Sequence, residues 1–358
     1  MPTNDFVVFG GQTGANVMSQ SSYLALPARL TGYQTGIASS QQLNKTWRQS
    51  SIISAMIAQF IVDKTGLDAL DDGTIATLEA RFIQALGQAA RIPMTTDLNL
   101  FVSTTGNDNN TGTSSGAAVQ TLQRATNIAQ QQYDTQGHNI IITVASGTYS
   151  AGCTINGQLV GGGRLLYVGN TASPSSVVIN LSTAGSCFAV SGAARITISG
   201  FQLIASQGSG QVGICINTST GATVQFDHVN FGTAAYCQMF AGAGASIFPT
   251  NFAASVPYSI VGGAQYHVVA ASGAGTINLQ SMAVTITGSP NFSGAFAWMD
   301  GAGYFNAAGV TWSPSPAAAT GPRHLITNGG VLITQGGGNL PGSVPGTGGT
   351  TVGGGFAG

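Results

Sequence analysis

Ala194-Arg-Ile-Thr-Ile-Ser-Gly-Phe-Gln-Leu-Ile-Ala205 and Ala222-Thr-Val-Gln-Phe-Asp-His-Val-Asn-Phe-Gly232 are two copies of one pattern. Apolar residues stand at offsets 0, 2, 5 and 7: Ile196, Ile198, Phe201 and Leu203, then, 28 residues on, Val224, Phe226, Val229 and Phe231. After 53 more residues the template returns as Ile277, Leu279, Met282 and Val284, and after another 28 as Phe305, Ala307, Val310 and Trp312. Ile333 continues its first column. A second column, Cys187, Cys215, Val268, Phe296 and His324, keeps the same steps. The 53-residue step is two turns of about 26, and the register of the turn near residues 240–255 stays open.

Alternation at offsets 0 and 2 is strand periodicity, and the jump to 5 is a tight corner before a new short strand. Each unit is dense in Gly and β-branched residues and has no run of helix formers, which disfavours a helical repeat. Short strands and corners can bury their inward face only by stacking on the next copy, about 4.8 Å away. The expected architecture is therefore mainly β, a single-stranded parallel β-helix whose apolar columns run along its axis.

Composition sets the surface. Of 358 residues 43% are hydrophobic, enough for a substantial core, yet only 6% are charged. With 52 glycines and a skin of Ser, Thr, Asn, Gln and Ala, the exterior must be neutral and rich in hydroxyls. A net charge of −1 offers no electrostatic attraction for nucleic acid or an anionic membrane. So neutral a skin protects poorly against self-association, which predicts a defined oligomer. No basic-then-apolar leader is visible at the start, and the longest greasy segment, Ile52 to Val62, is interrupted by Ser54 and Gln59 and too short to span a bilayer. Four cysteines at spacings of 34, 28 and 22 match no zinc motif. Cys187 and Cys215 share a column and read as stacked core thiols, with a disulfide between neighbouring coils as the alternative.

Along the chain, residues 1–37 form an extended arm that carries Phe6, Phe9, Asn16, Tyr23 and Tyr33 without helical period, and should order only on a partner or on sister chains. Residues 38–96 form an α-helical collar. Ser39 and Gln42 make a capping-box signature ahead of a stripe through Leu43, Trp47, Ile53 or Ser54, Ile57 and Ile61. A second helix starts at Asp72 or Thr74 and aligns Ile75, Leu78, Phe82 and Leu86. Such helices should bury their stripes against other subunits, or pack together as a hairpin within the chain. Residues 97–335 form the β-helix, entered through a helix over Val119 to Gln131 that covers the open edge of the first coil. Residues 336–358 are a Gly- and Pro-rich tail that, if ordered, should wrap the far end of the rod.

The entry segment carries a resemblance. Phe101-Val-Ser-Thr-Thr-Gly106-Asn-Asp108-Asn-Asn-Thr-Gly112-Thr, Thr121-Leu-Gln-Arg-Ala125 and Ile142-Thr-Val-Ala-Ser-Gly147-Thr-Tyr149 resemble phage tail fibre and tailspike proteins with a pectin-lyase-like right-handed parallel β-helix. Asn16-Val, Leu30-Thr-Gly32 and Asn44-Lys-Thr-Trp-Arg48-Gln-Ser look like a virion-attachment module, and Thr334-Gln-Gly-Gly-Gly-Asn-Leu-Pro341-Gly-Ser looks like the close of prophage proteins of this kind. The resemblance implies a homotrimeric virion component, fixed by its N-terminal part to tail, baseplate or capsid proteins, with the rod turned toward host cell-surface polysaccharide. It implies no cofactor, no metal, no nucleic acid and no membrane insertion.

Two readings of function then compete: a structural, receptor-binding fibre or spike, and a polysaccharide depolymerase with a site between subunits. The same trimer could also decorate a capsid or neck. Glycosidic hydrolysis needs two carboxylates roughly 5–9.5 Å apart. Beyond residue 96 the only acids are Asp97, Asp108, Asp134, Asp227 and Asp300, and the first three suit turns and caps. Repeat spacing places Asp227 and Asp300 three coils apart, too far to act as a pair within one chain. Asp227-His228 is the sole acid–histidine doublet, and strand alternation predicts that the two side chains diverge. His267 and His324 fall in or beside apolar columns and read as satisfied core or interface residues. Binding a neutral glycan needs an aromatic plate among hydroxyls and amides, and Tyr236, Tyr258 and Trp298 are the outward-facing candidates, with Trp312 inward.

Overall fold

The computed structural model describes every residue except 1, 38, 90, 253–256, 335–339, 349 and 352–358. Two compact units divide the chain, Met1–Ile92 and Pro93–Gly358.

The second unit is a parallel β-solenoid of about 7 turns. Its strands form a 15-stranded and a 7-stranded sheet, here the first and second sheets. Strand Arg195–Ala205 pairs in parallel with Thr223–Ala234, stacking Ile196 on Val224, Ile198 on Phe226, Phe201 on Val229 and Leu203 on Phe231. All eight are fully buried, so the 28-residue template is one step of the solenoid. Ile247 occupies the open turn, between Val224 and Ile277.

Three register expectations need correction. Across that turn the second half of the template slips by two residues: Phe231 stacks on Ile260, which meets Ile286, while Tyr258 meets Val284. Leu332, not Ile333, continues the first column from Phe305. In the second sheet Phe188, Ile216, Met239, Val268, Ala297 and His324 form one file. Cys187, Cys215, Gln238, His267 and Phe296 fall between those partners, in the adjacent file. Val268 and His324 therefore stand one file away from the two cysteines.

In five coils the polypeptide leaves the second sheet by the same tight corner, the connections 157–164 and 271–275 being longer. Backbone bonds Ser191 to Ala194, Ser219 to Ala222, Gly242 to Ala245, Asp300 to Gly303 and Thr327 to Gly330 close four-residue turns. Their central pairs, such as Ala193 with Gly192 and Asn328 with Gly329, are all left-handed, with φ between 48° and 78°. Two consecutive positive φ values define a type I′ turn, which admits Gly and Asn cheaply. Connections at the other end of the second sheet, residues 206–213, 235–236, 261–263, 287–291 and 314–323, differ widely in length.

Both ends of the solenoid are closed. Helix Leu122–Gln132, with Thr121 as its N-cap, buries Leu122, Ala125, Ile128 and Ala129 in the main core. The second sheet ends at strand Cys153–Asn156. Gln123 takes up the Thr154 N–H (2.7 Å) and carbonyl (3.2 Å), and Gln130 donates to the carbonyls of Asn156 and Gly157. These bonds satisfy backbone groups that would otherwise recruit a foreign strand. Replacing Gln123 by leucine should cost about 1–2 kcal/mol and raise light scattering on heating; an unchanged melt and scattering profile would refute this role. Beyond the last coil, Leu340 is fully buried, Val344 bridges to Pro322 and Thr347 to Leu325. The described part of the tail thus lies against the last coil; Gly336 to Gly338 lie outside the described residues.

In the first unit, helices Ser40–Thr65 and Ile75–Ala89 pack together through Phe60 and Phe82, whose ring centroids lie 6.2 Å apart. Ser39 is the N-cap of the first, but its side chain makes no capping bond, so the expected capping box is absent. Residues of the arm pack on the first of these helices. Phe6 packs on Ala58 and Val62, Phe9 meets Trp47 edge-on at 5.6 Å, and Asn16 accepts from Asn44 (2.7 Å). Lys45 lies over the Tyr23 ring and the Tyr33 hydroxyl meets Thr46. Against the expectation of a wholly extended arm, short helices form at Gln20–Leu24 and Ala28–Thr31. Part of the apolar stripe nevertheless stays open: Trp47, Ile53 and Ile75 are each more than half exposed, as are Met56 and Ile83 outside the stripe. No described helix is long and apolar enough to cross a membrane.

Candidate functional site

The second sheet has an apolar outer face of its own. Ile214, Cys237, Tyr266 and Ala295 stack in one file, and Phe240, Val269, Trp298 and Leu325 in another. With Tyr236 they form a cluster separate from the main core. Tyr236 and Tyr266 pack edge-on at 5.6 Å, and Trp298 lies against Tyr266 at 5.3 Å with a tilt of 32°.

Trp298 is the hinge between this aromatic file and a polar corner. Its indole N–H donates to the Thr327 hydroxyl (3.0 Å), which donates to an Asp300 carboxylate oxygen (2.7 Å). The Asn328 amide donates to the same oxygen (2.6 Å). Asp300 and Thr327 open successive tight turns, which is why the coil spacing brings them together. A half-buried indole edge, a carboxylate and an amide on adjacent coils can receive a sugar ring and its hydroxyls.

The three aromatic candidates therefore part company. Trp298 is partly buried against the outer cluster, whereas Tyr236 is 3% exposed and Tyr258 only 1%. The outward expectation is wrong for Tyr258, which stands between Val229 and Val284 in an inward file and touches Phe226 and Phe231. Tyr236 does lie on the outer cluster, but its neighbours cover it. Trp312 faces inward, against Phe296 at 5.3 Å.

Tyr258 belongs to a polar network that sequence reasoning missed. Gln238 Nε2 donates to the carbonyls of Gly232 (2.7 Å) and Gly262 (2.8 Å), which turns its Oε1 toward His267 Nδ1 at 2.5 Å. The imidazole proton is therefore on Nδ1, and Nε2 accepts from the Tyr258 hydroxyl at 3.1 Å. Burial pushes the His267 pKa down to about 3, so the ring is neutral. His267 is the satisfied core histidine expected, and His324 is buried too.

The Asp227–His228 doublet forms a second polar corner. Gly200 and His228 stack with left-handed backbones (φ 78° and 47°). That conformation turns the two side chains together rather than apart, with His228 Nδ1 2.9 Å from Asp227 Oδ1. Ser199 donates to the same oxygen and Thr250 to Oδ2 (2.9 Å). Because the serine hydroxyl binds the carboxylate and not the imidazole, the order of a Ser-His-Asp relay is not met. Asp300 sits on another corner; counted along the second sheet from Ile216 through Met239 and Val268 to Ala297, its coil is the third beyond that of Asp227, as the repeat spacing predicts.

Asp97, Asp108 and Asp134 hold loops. Asp97 accepts from Asn139 N–H, Asp108 from the backbone and hydroxyl of Thr121, and Asp134 from Gln136 N–H. The four cysteines are free and buried, and burial raises the Cys153 thiol to about 12. A cavity of about 270 Å³ beside the entry helix, lined by Gln120, Thr121, Thr148 and Tyr149, contains no carboxylate. Among the described residues no three metal-ligating side chains converge.

Compared with protein-family models, with curated proteins and with solved structures, the chain matches none.

Proposed function

We propose that this chain is a virion component, a phage tail fibre or tailspike protein whose right-handed β-helix assembles as a homotrimer and binds host surface glycan without cleaving it. The observation that carries the reading is the pairing of a neutral solenoid with one partly exposed indole, Trp298, wired through Thr327 to Asp300 and Asn328. Sugar-binding surfaces combine these elements: an apolar plate for a ring face and fixed polar groups for its hydroxyls.

The first unit supports self-association. Helices Ser40–Thr65 and Ile75–Ala89 leave an apolar trough of about 560 Å³ lined by Phe6, Ile57, Ile61, Ile75, Leu78 and Phe82. Three copies turning such stripes inward make a closed, symmetric collar. The arm, docked on its own helix, then presents Phe9 and Tyr33, each about half exposed, to a tail, baseplate or capsid protein.

Light scattering of the purified chain should give three times the 36.0 kDa chain mass. Adsorption to host polysaccharide should fall about tenfold in Trp298→Ala, the loss of roughly 1.4 kcal/mol of stacking, and stay unchanged in Tyr258→Phe. Robust release of reducing ends from that polysaccharide would replace this reading with the depolymerase.

A further inference from the structure

Two arginines on the first sheet have no acid to answer them. The solenoid carries four arginines, Arg124, Arg164, Arg195 and Arg323, five aspartates, and no lysine or glutamate. Leu165 pairs with Ile196, so Arg164 and Arg195 occupy the same position on neighbouring coils, about 4.8 Å apart along the axis. Each aspartate is already engaged in a turn or corner, and the only acid–base contacts among the described residues join histidines to Asp97 and Asp227. Asp227, on the neighbouring strand, is about 14 Å from Arg195 and has both oxygens occupied by Ser199, His228 and Thr250. Asp97, in the file of Arg164 but two coils or about 10 Å away, accepts from the Asn139 N–H.

We infer that Arg164 and Arg195 form a binding site for the anionic groups of an acidic polysaccharide. Arg164 reaches across the coil of Arg195 to donate to the Gln225 side-chain oxygen in the coil beyond, which holds its guanidinium against the face of the sheet. Arg195 is exposed beside it. Thr197, Thr223 and Ser246 supply hydroxyls on the same outward face, as a sugar chain requires. Two like charges stacked without a counter-ion repel each other, and a ligand carboxylate or sulfate removes that repulsion while accepting paired N–H bonds. Partial burial and Arg195 both lower the pKa of Arg164, which is the cost a bound anion would reverse. This site rests on the glycan-binding reading but lies on a different sheet from Trp298.

The test titrates the full chain with polygalacturonate, alginate, hyaluronate, neutral dextran and duplex DNA at low and physiological salt. At least one acidic glycan should bind, with affinity falling as salt rises. The double variant Arg164→Gln/Arg195→Gln should lose at least tenfold of that affinity and most of its salt dependence, while keeping the Trp298-dependent adsorption to host polysaccharide. Arg195→Gln alone, at an exposed position, gives a severalfold loss and guards against misfolding of the double variant. The proposal fails if no acidic glycan binds, if the double variant binds as the parent does, or if DNA binds as tightly through the same arginines. Loss of Trp298-dependent adsorption alone would count against the broader reading and leave the arginine site standing.

Discussion

Gln238→Leu should destabilise the solenoid by about 3–6 kcal/mol, since it strands several buried polar groups at about 1–3 kcal/mol each. The Gly232 and Gly262 carbonyls lose their donor and the His267 Nδ1–H its acceptor, all inside the core. Leucine is close in size, so the loss comes from hydrogen bonding and not from a cavity. Chemical denaturation followed by circular dichroism measures it. A Gln238→Leu variant as stable as the parent would show that the network is dispensable. A double change of Gln238 and His267 to apolar residues should recover part of the loss, because the imidazole then leaves no orphan behind.

The second large effect is on acid stability. His267 has its pKa lowered by burial from 6.5 to about 3. The unfolded chain therefore binds a proton that the folded chain refuses, and the contribution of this site to stability is complete above about pH 6.5 and declines as pH falls toward 3. The slope is about 1.4 kcal/mol per pH unit across that window, of order 5 kcal/mol in all. Denaturation midpoints at pH 7 and pH 4 should differ strongly in the parent and much less in His267→Gln, which keeps a neutral partner for Gln238 and Tyr258. Equal acid sensitivity in both proteins would assign the effect elsewhere.

The fold was legible because a stacked core repeats its own side chains. Ile196, Ile198, Phe201 and Leu203 face Val224, Phe226, Val229 and Phe231 with no insertion between them, and there the spacing read from sequence is the register. It slipped where coil length changed. The step from Arg195 to Thr223 includes the long connection 206–213, whereas the step from Thr223 to Ser246 has only 235–236. Intervals summed over two coils hide that difference. In the second sheet two consecutive residues of each strand, such as Cys187 with Phe188, are both buried, so a constant interval fits either file.

The polar features were harder to read. Gln238 and His267 stand where apolar residues would continue the column, and from sequence they look like breaks in it. Their satisfaction depends on carbonyls of Gly232 and Gly262, which alignment of side chains cannot reveal. Trp298 was legible as an outward aromatic because it alternates with inward neighbours. Its link to Asp300 through Thr327 follows from the 27 residues between the two corner positions, a spacing that becomes meaningful only once the turns are known to stack. Arg164 and Arg195 were passed over, since their partnership depends on coil register and their motif is a single residue.

The left-handed corners have a bearing on how such a protein diversifies. One margin of the rod uses four-residue turns in five coils, with longer connections only at 157–164 and 271–275, while the opposite margin carries connections as different as 235–236 and 314–323. Lengthening a loop there shifts no inward residue, because each coil re-enters its sheet at the same file. Loops of different length can then be carried along a single seam while the spine of the rod stays the same.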